Sequence, residues 1–181
     1  MKQRMEVELR EESAGAFPEH GAIEIAFPVE RVLHVGRSRT GAPVLRERAV
    51  AEPWRKDYDA VPGNRPVDWP GRFDVSGWVL LSAWREGRRV GGVVIAERNL
   101  IWDLRVLPAL RGAGIGARLF ADAERWIRAH GGRRVEVETQ NVNVPACRLY
   151  ESRGCRLHRA VPGAYADFPD EVQLLWQKRL R

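Results

Sequence analysis

The chain has 181 residues, 44% of them apolar, which suits one domain with a buried core. Its net charge is +6, and of 30 basic residues only Lys2, Lys56 and Lys178 are lysine. The arginines are scattered among acids, without a basic block or an RNA-binding aromatic signature, which argues against nucleic acid and for a solvated basic surface or an anionic small ligand. No apolar run reaches about 18 residues, so no membrane span is expected. The charged start "MKQRMEVELREE" has no apolar signal core, so a cytoplasmic protein is expected.

Residues 1–21 are polar and weakly patterned and read as a disordered or extended lead-in. One domain is expected over 22–181. "AIEIAFPVERVLHV" (22–35) alternates as a strand interrupted by Pro28. Residues 36–77, rich in Gly, Pro, Arg and Asp, predict irregular structure with a short helix, placed as a lid. "WVLLSAW" (78–84) and "VGGVVIAE" (90–97) read as a hairpin around Glu86-Gly87. Gly91-Gly92 inside the second strand signals a bulge or a close backbone approach.

"LIWDLRVL" (100–107) is the next strand. Ile115, Leu119, Ala123, Trp126 and Ile127 keep helical spacing, which predicts a helix over 115–130 that ends at Gly131-Gly132. "RRVEVET" (133–139) alternates as a strand, with Glu136 and Glu138 on one side. Asn143 reads as a helix cap with Pro145 in the first turn, and that helix stops at Gly154. "CRLHRAV" and "VQLLWQKRL" are the last strands, joined by "PGAYADFPDE". The order predicts an α/β (α+β) sandwich on one mixed, mostly antiparallel sheet with helices on both faces. Cys147 and Cys155 fit neither a disulfide framework nor a zinc spacing, and no metal-ligand set is found.

"LPALRGAGIGARLF" (107–120) carries the chemistry. A helix start leaves about four backbone N–H groups unpaired, and proteins usually cover them with a capping side chain or place acids beside them. From Arg111 to Phe120 there is neither, and Arg111 and Arg118 add positive charge. Gly112, Gly114 and Gly116 remove side chains that would block access. This fits an anion such as pyrophosphate, while a plain strand–helix turn is an equal reading of the loop alone. A P-loop is excluded because Ala117-Arg118, not Lys and Ser/Thr, follow the last glycine. A Rossmann loop fits poorly after antiparallel strands.

"LRVLPALRGAGIGARL" resembles the acetyl-CoA-binding segment of the GNAT superfamily of N-acetyltransferases. "NVNVPACRLYESRGC" is similar to that family's second segment, with Asn143, Ala146, Leu149, Tyr150 and Gly154 matching and Cys155 replacing the usual Phe. The look within the family is to streptothricin acetyltransferases, through "ETQNVNVPACRLY" and "YADFPDEVQLLWQKRL". The resemblance implies a GNAT-type sandwich, an acetyl-CoA-binding part at about 90–155, and transfer of acetyl from acetyl-CoA to a primary amine by direct attack.

On these residues it implies that backbone groups of Leu104, Arg105 and Val106 hold the pantetheine arm. Amides of Arg111, Gly112, Ala113, Gly114, Ile115, Gly116 and Ala117 would hold the pyrophosphate, with charge from the Arg111 side chain. Asn143, beside Ala146, would share capping with a bond to the pantetheine. Tyr150 would protonate the leaving thiolate, and Glu138 would be the base, with Asp103 as second candidate. A small cationic amine as acceptor calls for acids and aromatic walls: Asp57, Asp59, Asp167 and Asp170, with Trp54, Tyr58, Tyr165 and Phe168. A protein N-terminus or lysine is the alternative acceptor, and a non-catalytic CoA-binding or nucleic-acid-binding module the alternative of another class. The apolar edge of the last strands would let two chains pair as a homodimer.

Overall fold

The computed structural model describes residues 6–181. In chain order it forms β1 (Glu8–Glu12), α1 (Phe17–Gly21), β2 (Phe27–Arg37), β3 (Pro43–Lys56), β4 (Val79–Arg85), β5 (Arg88–Ala96), β6 (Leu100–Val106), α2 (Ile115–Ala129), β7 (Arg134–Gln140), α3 (Val144–Ser152), β8 (Arg156–Pro162) and β9 (Val172–Arg179). No helix is long and apolar enough to cross a membrane. Two compact units arise from interleaved segments. One holds the chain up to Ala26, Asp57–Val135 and Leu180–Arg181, and the other holds Phe27–Lys56 and Glu136–Arg179.

In the first unit β1, β4, β5 and β6 pair antiparallel in that order. The β4–β5 hairpin turns at Glu86 (φ 50°) and Gly87 (φ 73°), both in the left-handed region, as a two-residue turn with right-handed strand twist requires. Ile115, Leu119, Phe120, Ala123 and Ile127 of α2 are buried on one stripe against β4–β6. Each large side chain removed from water contributes about 1.5–3 kcal/mol. The opposite face is covered by Phe17, Trp69 and Trp78 over Leu80 and Val94. Phe17 meets Trp69 edge-on at 5.3 Å.

The paired glycines of β5 serve both faces. A Cβ on Gly91 would lie 2.8 Å from the Arg105 carbonyl oxygen, and one on Gly92 would lie 2.7 Å from His20 Nδ1. The close approach expected from the sequence is there. A register shift beside Ala83 supplies the bulge.

The sequence-based lead-in over 1–21 needs correction. Met1–Met5 lie outside the described residues, but β1 adds an edge strand through Glu8–Glu12, and Phe17 and His20 are fully buried. Strand pairing and two inward side chains order a segment whose composition is otherwise polar. Residues 36–77 need a larger correction. Fourteen of them form β3, paired with β2 from Arg37↔Pro43 to Phe27↔Lys56. The strand "PVLRERAVAEPWRK" is largely exposed, so it lacks the apolar alternation by which a strand is recognised. Its partner's backbone, not a hydrophobic face, holds it extended. Only 38–42 and 57–77 match the irregular expectation, the latter with short 3-10 turns at Tyr58–Ala60 and Pro66–Gly71.

In the second unit β9 lies between β7 and β8, and α3 packs against β2. Asn141 links the parts. Its amide nitrogen Nδ2 donates to the Leu33 carbonyl (3.1 Å), and its Oδ1 accepts from the Val172 N–H (2.8 Å). The Leu33 N–H donates to its carbonyl (2.9 Å), and its own N–H donates to the Val172 carbonyl (3.0 Å). Lys56 and Glu171, both buried, pair at 2.6 Å, and the ammonium stands 3.4 Å from the Phe168 ring centroid.

Candidate active site

The start of α2 is open. Gly114 occupies the cap position at φ 90°, no side chain caps the helix, and its first turn holds no acid. Gly112 is also left-handed (φ 78°), and a Cβ on either glycine would meet nothing within 4 Å. These glycines therefore answer a backbone requirement, and the space before them is clear. The first intrahelical bond runs from the Arg118 N–H to the Gly114 carbonyl. Among the described residues the amides of Gly112, Gly114, Ile115, Gly116 and Ala117 have no backbone acceptor.

Two amides of the expected cradle are otherwise engaged. The Arg111 N–H donates to Pro108 and the Ala113 N–H to Leu110. The Arg111 guanidinium donates to the carbonyls of Val106 (3.1 Å), Ala26 (2.8 Å) and Glu24, so it braces the loop against segment 24–26. Five carbonyl-seeking donors on a planar fork explain why arginine suits that strut. Arg118 is likewise occupied, 3.0 Å from Asp122.

In β6 the Leu107 N–H reaches the Val90 carbonyl of β5. Strand alternation then turns the backbone of Arg105 toward β5, and that of Leu104 and Val106 toward the other edge. The Arg105 side chain is buried in a charged chain. It forks onto Asp59 (2.7 and 2.8 Å), meets Asp103 (3.0 Å) and donates to the Ile23 carbonyl (3.1 Å). Asp103 also bonds His20 Nε2 at 2.7 Å. Burial alone would push the Asp103 carboxyl up, but the Arg105 charge and the His20 bond outweigh it and hold it at about 2. A carboxylate so committed is a weaker proton acceptor than an unpaired one.

Asp57, Tyr58 and Asp59 lie together at one 3-10 turn of the first unit, where Asp57 caps by accepting from the Asp59 N–H (3.0 Å). Asp59 of this turn is ion-paired with Arg105.

The second unit carries the remaining candidates. Along β7, Val135, Val137 and Thr139 are buried, and Glu138 is exposed on the other side. Tyr165 donates its phenol proton to Glu138 Oε1 (2.7 Å), and Gln140 Nε2 donates to the same phenol (2.9 Å). Asn143 caps α3 by accepting from the Ala146 N–H at 3.2 Å. Tyr150 is buried on α3, its ring 6.4 Å from that of Trp176. Trp54, Asp167, Phe168 and Asp170 line one cleft of about 1150 Å³, beside Lys56's partner Glu171. Both cysteines are buried and neither is in a disulfide, and burial pushes the Cys147 thiol up to about 12.

Sequence reasoning missed His20, Lys56, Gln140, Asn141 and Glu171. Each matters through a partner distant in the chain. The one visible trace was Lys56, a rare lysine in an arginine-rich chain.

The model of the acetyltransferase (GNAT) family matches residues 46–155. The chain belongs to the GNAT acetyltransferase family. The matched segment of this GNAT chain contains the open helix start and the Asn143–Tyr150 helix. A streptothricin acetyltransferase of Streptomyces lavendulae is 28% identical over 115 residues, 61% of each chain, so the match spans about three fifths of that relative's length. A nourseothricin acetyltransferase structure superposes with a TM-score of 0.77 at 23% identity, over 98% of this chain and all of that one. A protein of Bacillus anthracis str. Ames regarded as a streptothricin acetyltransferase, solved with acetyl coenzyme A, gives 0.78 at 22%, over 97% and 100%. The ribosomal-protein-S18-alanine N-acetyltransferase of Escherichia coli gives 0.64 at 14%, over 96% and 94%. These likenesses establish the mixed α/β, mostly antiparallel GNAT fold.

Proposed function

We propose that this chain is an acetyl-CoA-dependent N-acetyltransferase whose acceptor is a small cationic amine of the streptothricin kind. The observation that carries the reading is the uncapped, acid-free start of α2, with five amides lacking a backbone acceptor and open space before Gly112 and Gly114. Such an end holds a pyrophosphate through backbone donors and the helix dipole. Family membership says which pyrophosphate compound to expect.

The residues fit that donor. Gly112, Gly114, Ile115, Gly116 and Ala117 hold the diphosphate, and the outward backbone of Leu104 and Val106 meets the extended arm as another strand would. Bound acetyl-CoA supplies a thioester activated for attack. Glu138 takes the proton that an ammonium must lose before it becomes a nucleophile. Tyr150 returns a proton to the departing sulfur, its burial on α3 keeping the phenol away from bulk water. Asn143 caps α3 and thereby fixes where Tyr150 sits. The acceptor side draws on Trp54, Asp167 and Phe168 around the cleft of the second unit.

The experiment is thiol release from acetyl-CoA over a panel of streptothricin, simple diamines and short peptides. Turnover with streptothricin or a diamine and not with peptides supports the reading. Turnover confined to peptides moves the acceptor to proteins, and the absence of a thermal shift with CoA ends the acetyltransferase reading.

A further inference from the structure

The hydrogen bonds at Tyr165 have a fixed direction. Gln140 Nε2 can only donate, so the phenol oxygen accepts from it, and the single phenol proton goes to Glu138 Oε1. Glu138 and Gln140 are two residues apart on β7 and share the side opposite Val137 and Thr139. One phenol thus spans both and pins an exposed carboxylate that would otherwise sample several rotamers. Tyr165 itself comes from the turn between β8 and β9, the turn that carries Asp167 and Phe168.

We infer that Tyr165 is a positioning residue for the base. The inference rests on the reading of Glu138 as proton acceptor. With Oε1 held by the phenol, Oε2 is left to receive the amine proton, directly or through a water. The phenol does not touch the reacting atoms. It acts by restricting Glu138 to one orientation, and it makes that orientation depend on the docking of the β8–β9 turn. Gln140 is the strut that keeps the phenol aimed.

The test is a double-mutant cycle in steady-state kinetics at neutral pH, with the amine that proves the best acceptor. Tyr165→Phe keeps the ring and removes only the phenol. Its kcat is expected to fall about five- to tenfold, with KM for acetyl-CoA unchanged, the size of loss expected when a general base is present but loosely aimed. In a Glu138→Gln background the same change costs less than about twofold, because the two residues act as one unit. A Tyr165→Phe enzyme with wild-type kcat overturns the inference, and so does a loss of equal size in both backgrounds. Gln140→Leu supplies a second reading: an intermediate loss in kcat supports the strut, and a change confined to KM opposes it. If Glu138→Gln alone keeps full rate, the base assignment fails and Tyr165's role with it. If Glu138→Gln is crippled while Tyr165→Phe is unaffected, only the Tyr165 inference falls.

Discussion

Arg105 grips Asp59 through two parallel N–H···O bonds of 2.7 and 2.8 Å while its Nε faces Asp103 at 3.0 Å, so one buried guanidinium bridges two carboxylates 44 residues apart in sequence. Removing one member of such a group strands the others. Arg105→Met is expected to destabilise by about 3 kcal/mol or more. That is a fall in Tm of roughly 6–12 °C for a chain of this size. Arg105→Lys recovers only part of it, since an ammonium cannot fork onto Asp59. Thermal melts monitored by circular dichroism measure both, and a melt of Arg105→Met matching wild type would contradict the assignment.

Asp103 makes the same group sensitive to acid. Its folded pKa of about 2 lies below the ordinary 3.8, so its ionised form contributes stability that is complete above about pH 4 and is lost as pH falls toward 2. The contribution is on the order of 2 kcal/mol. Acid unfolding of wild type should therefore steepen across that window. Asp103→Asn should be less stable at pH 7 and lose less on further acidification. Parallel stability–pH curves for the two proteins would refute this.

At the helix start, stability and binding should move in opposite directions. Ala117→Glu places a carboxylate in the acid-free first turn, where it favours the helix by about 0.3–1 kcal/mol. The same charge repels a diphosphate. A higher Tm together with an acetyl-CoA KM raised about tenfold is expected. A variant that binds acetyl-CoA as wild type does would remove the cradle from this helix end.

Glu138→Gln should lower kcat at neutral pH by about 10²-fold and recover partly in alkaline buffer. The recovery follows from the acceptor, which at high pH arrives already deprotonated. The pH–rate profile decides the matter: a profile of wild-type shape and height excludes Glu138.

The thiols bear on how activity is measured. Cys147 is buried with its thiol pushed up to about 12, and Cys155 is also buried. Neither should react with a disulfide reagent in the folded protein, so thiol-release assays will report only the CoA product. Stoichiometric labelling within minutes, before denaturant is added, would contradict that burial.

The local patterns of this chain are strong where one element supplies its own explanation. The 3.6-residue stripe from Ile115 to Ile127, the Glu86-Gly87 turn, the Asn143 cap and the missing cap before Ile115 all follow from neighbours within a few residues. They were legible for that reason, and they are the parts that point to acetyl-CoA. The long strand β3 was not legible, because its extended form depends on β2 and not on an apolar face of its own.

The rest depends on partners far apart in sequence. Nothing in "RGAG" tells that Arg111 turns to the carbonyls of Glu24 and Ala26, or that the donors left for an anion are the amides beside it. Nothing in "VEVETQ" names Tyr165 as the partner of Glu138. Sequence alone determined which backbone is exposed at the start of α2, because helix geometry is local. Only the tertiary structure decided which charges are already paired and which carboxylate accepts from Tyr165, because a side chain's availability is set by whatever the fold brings against it.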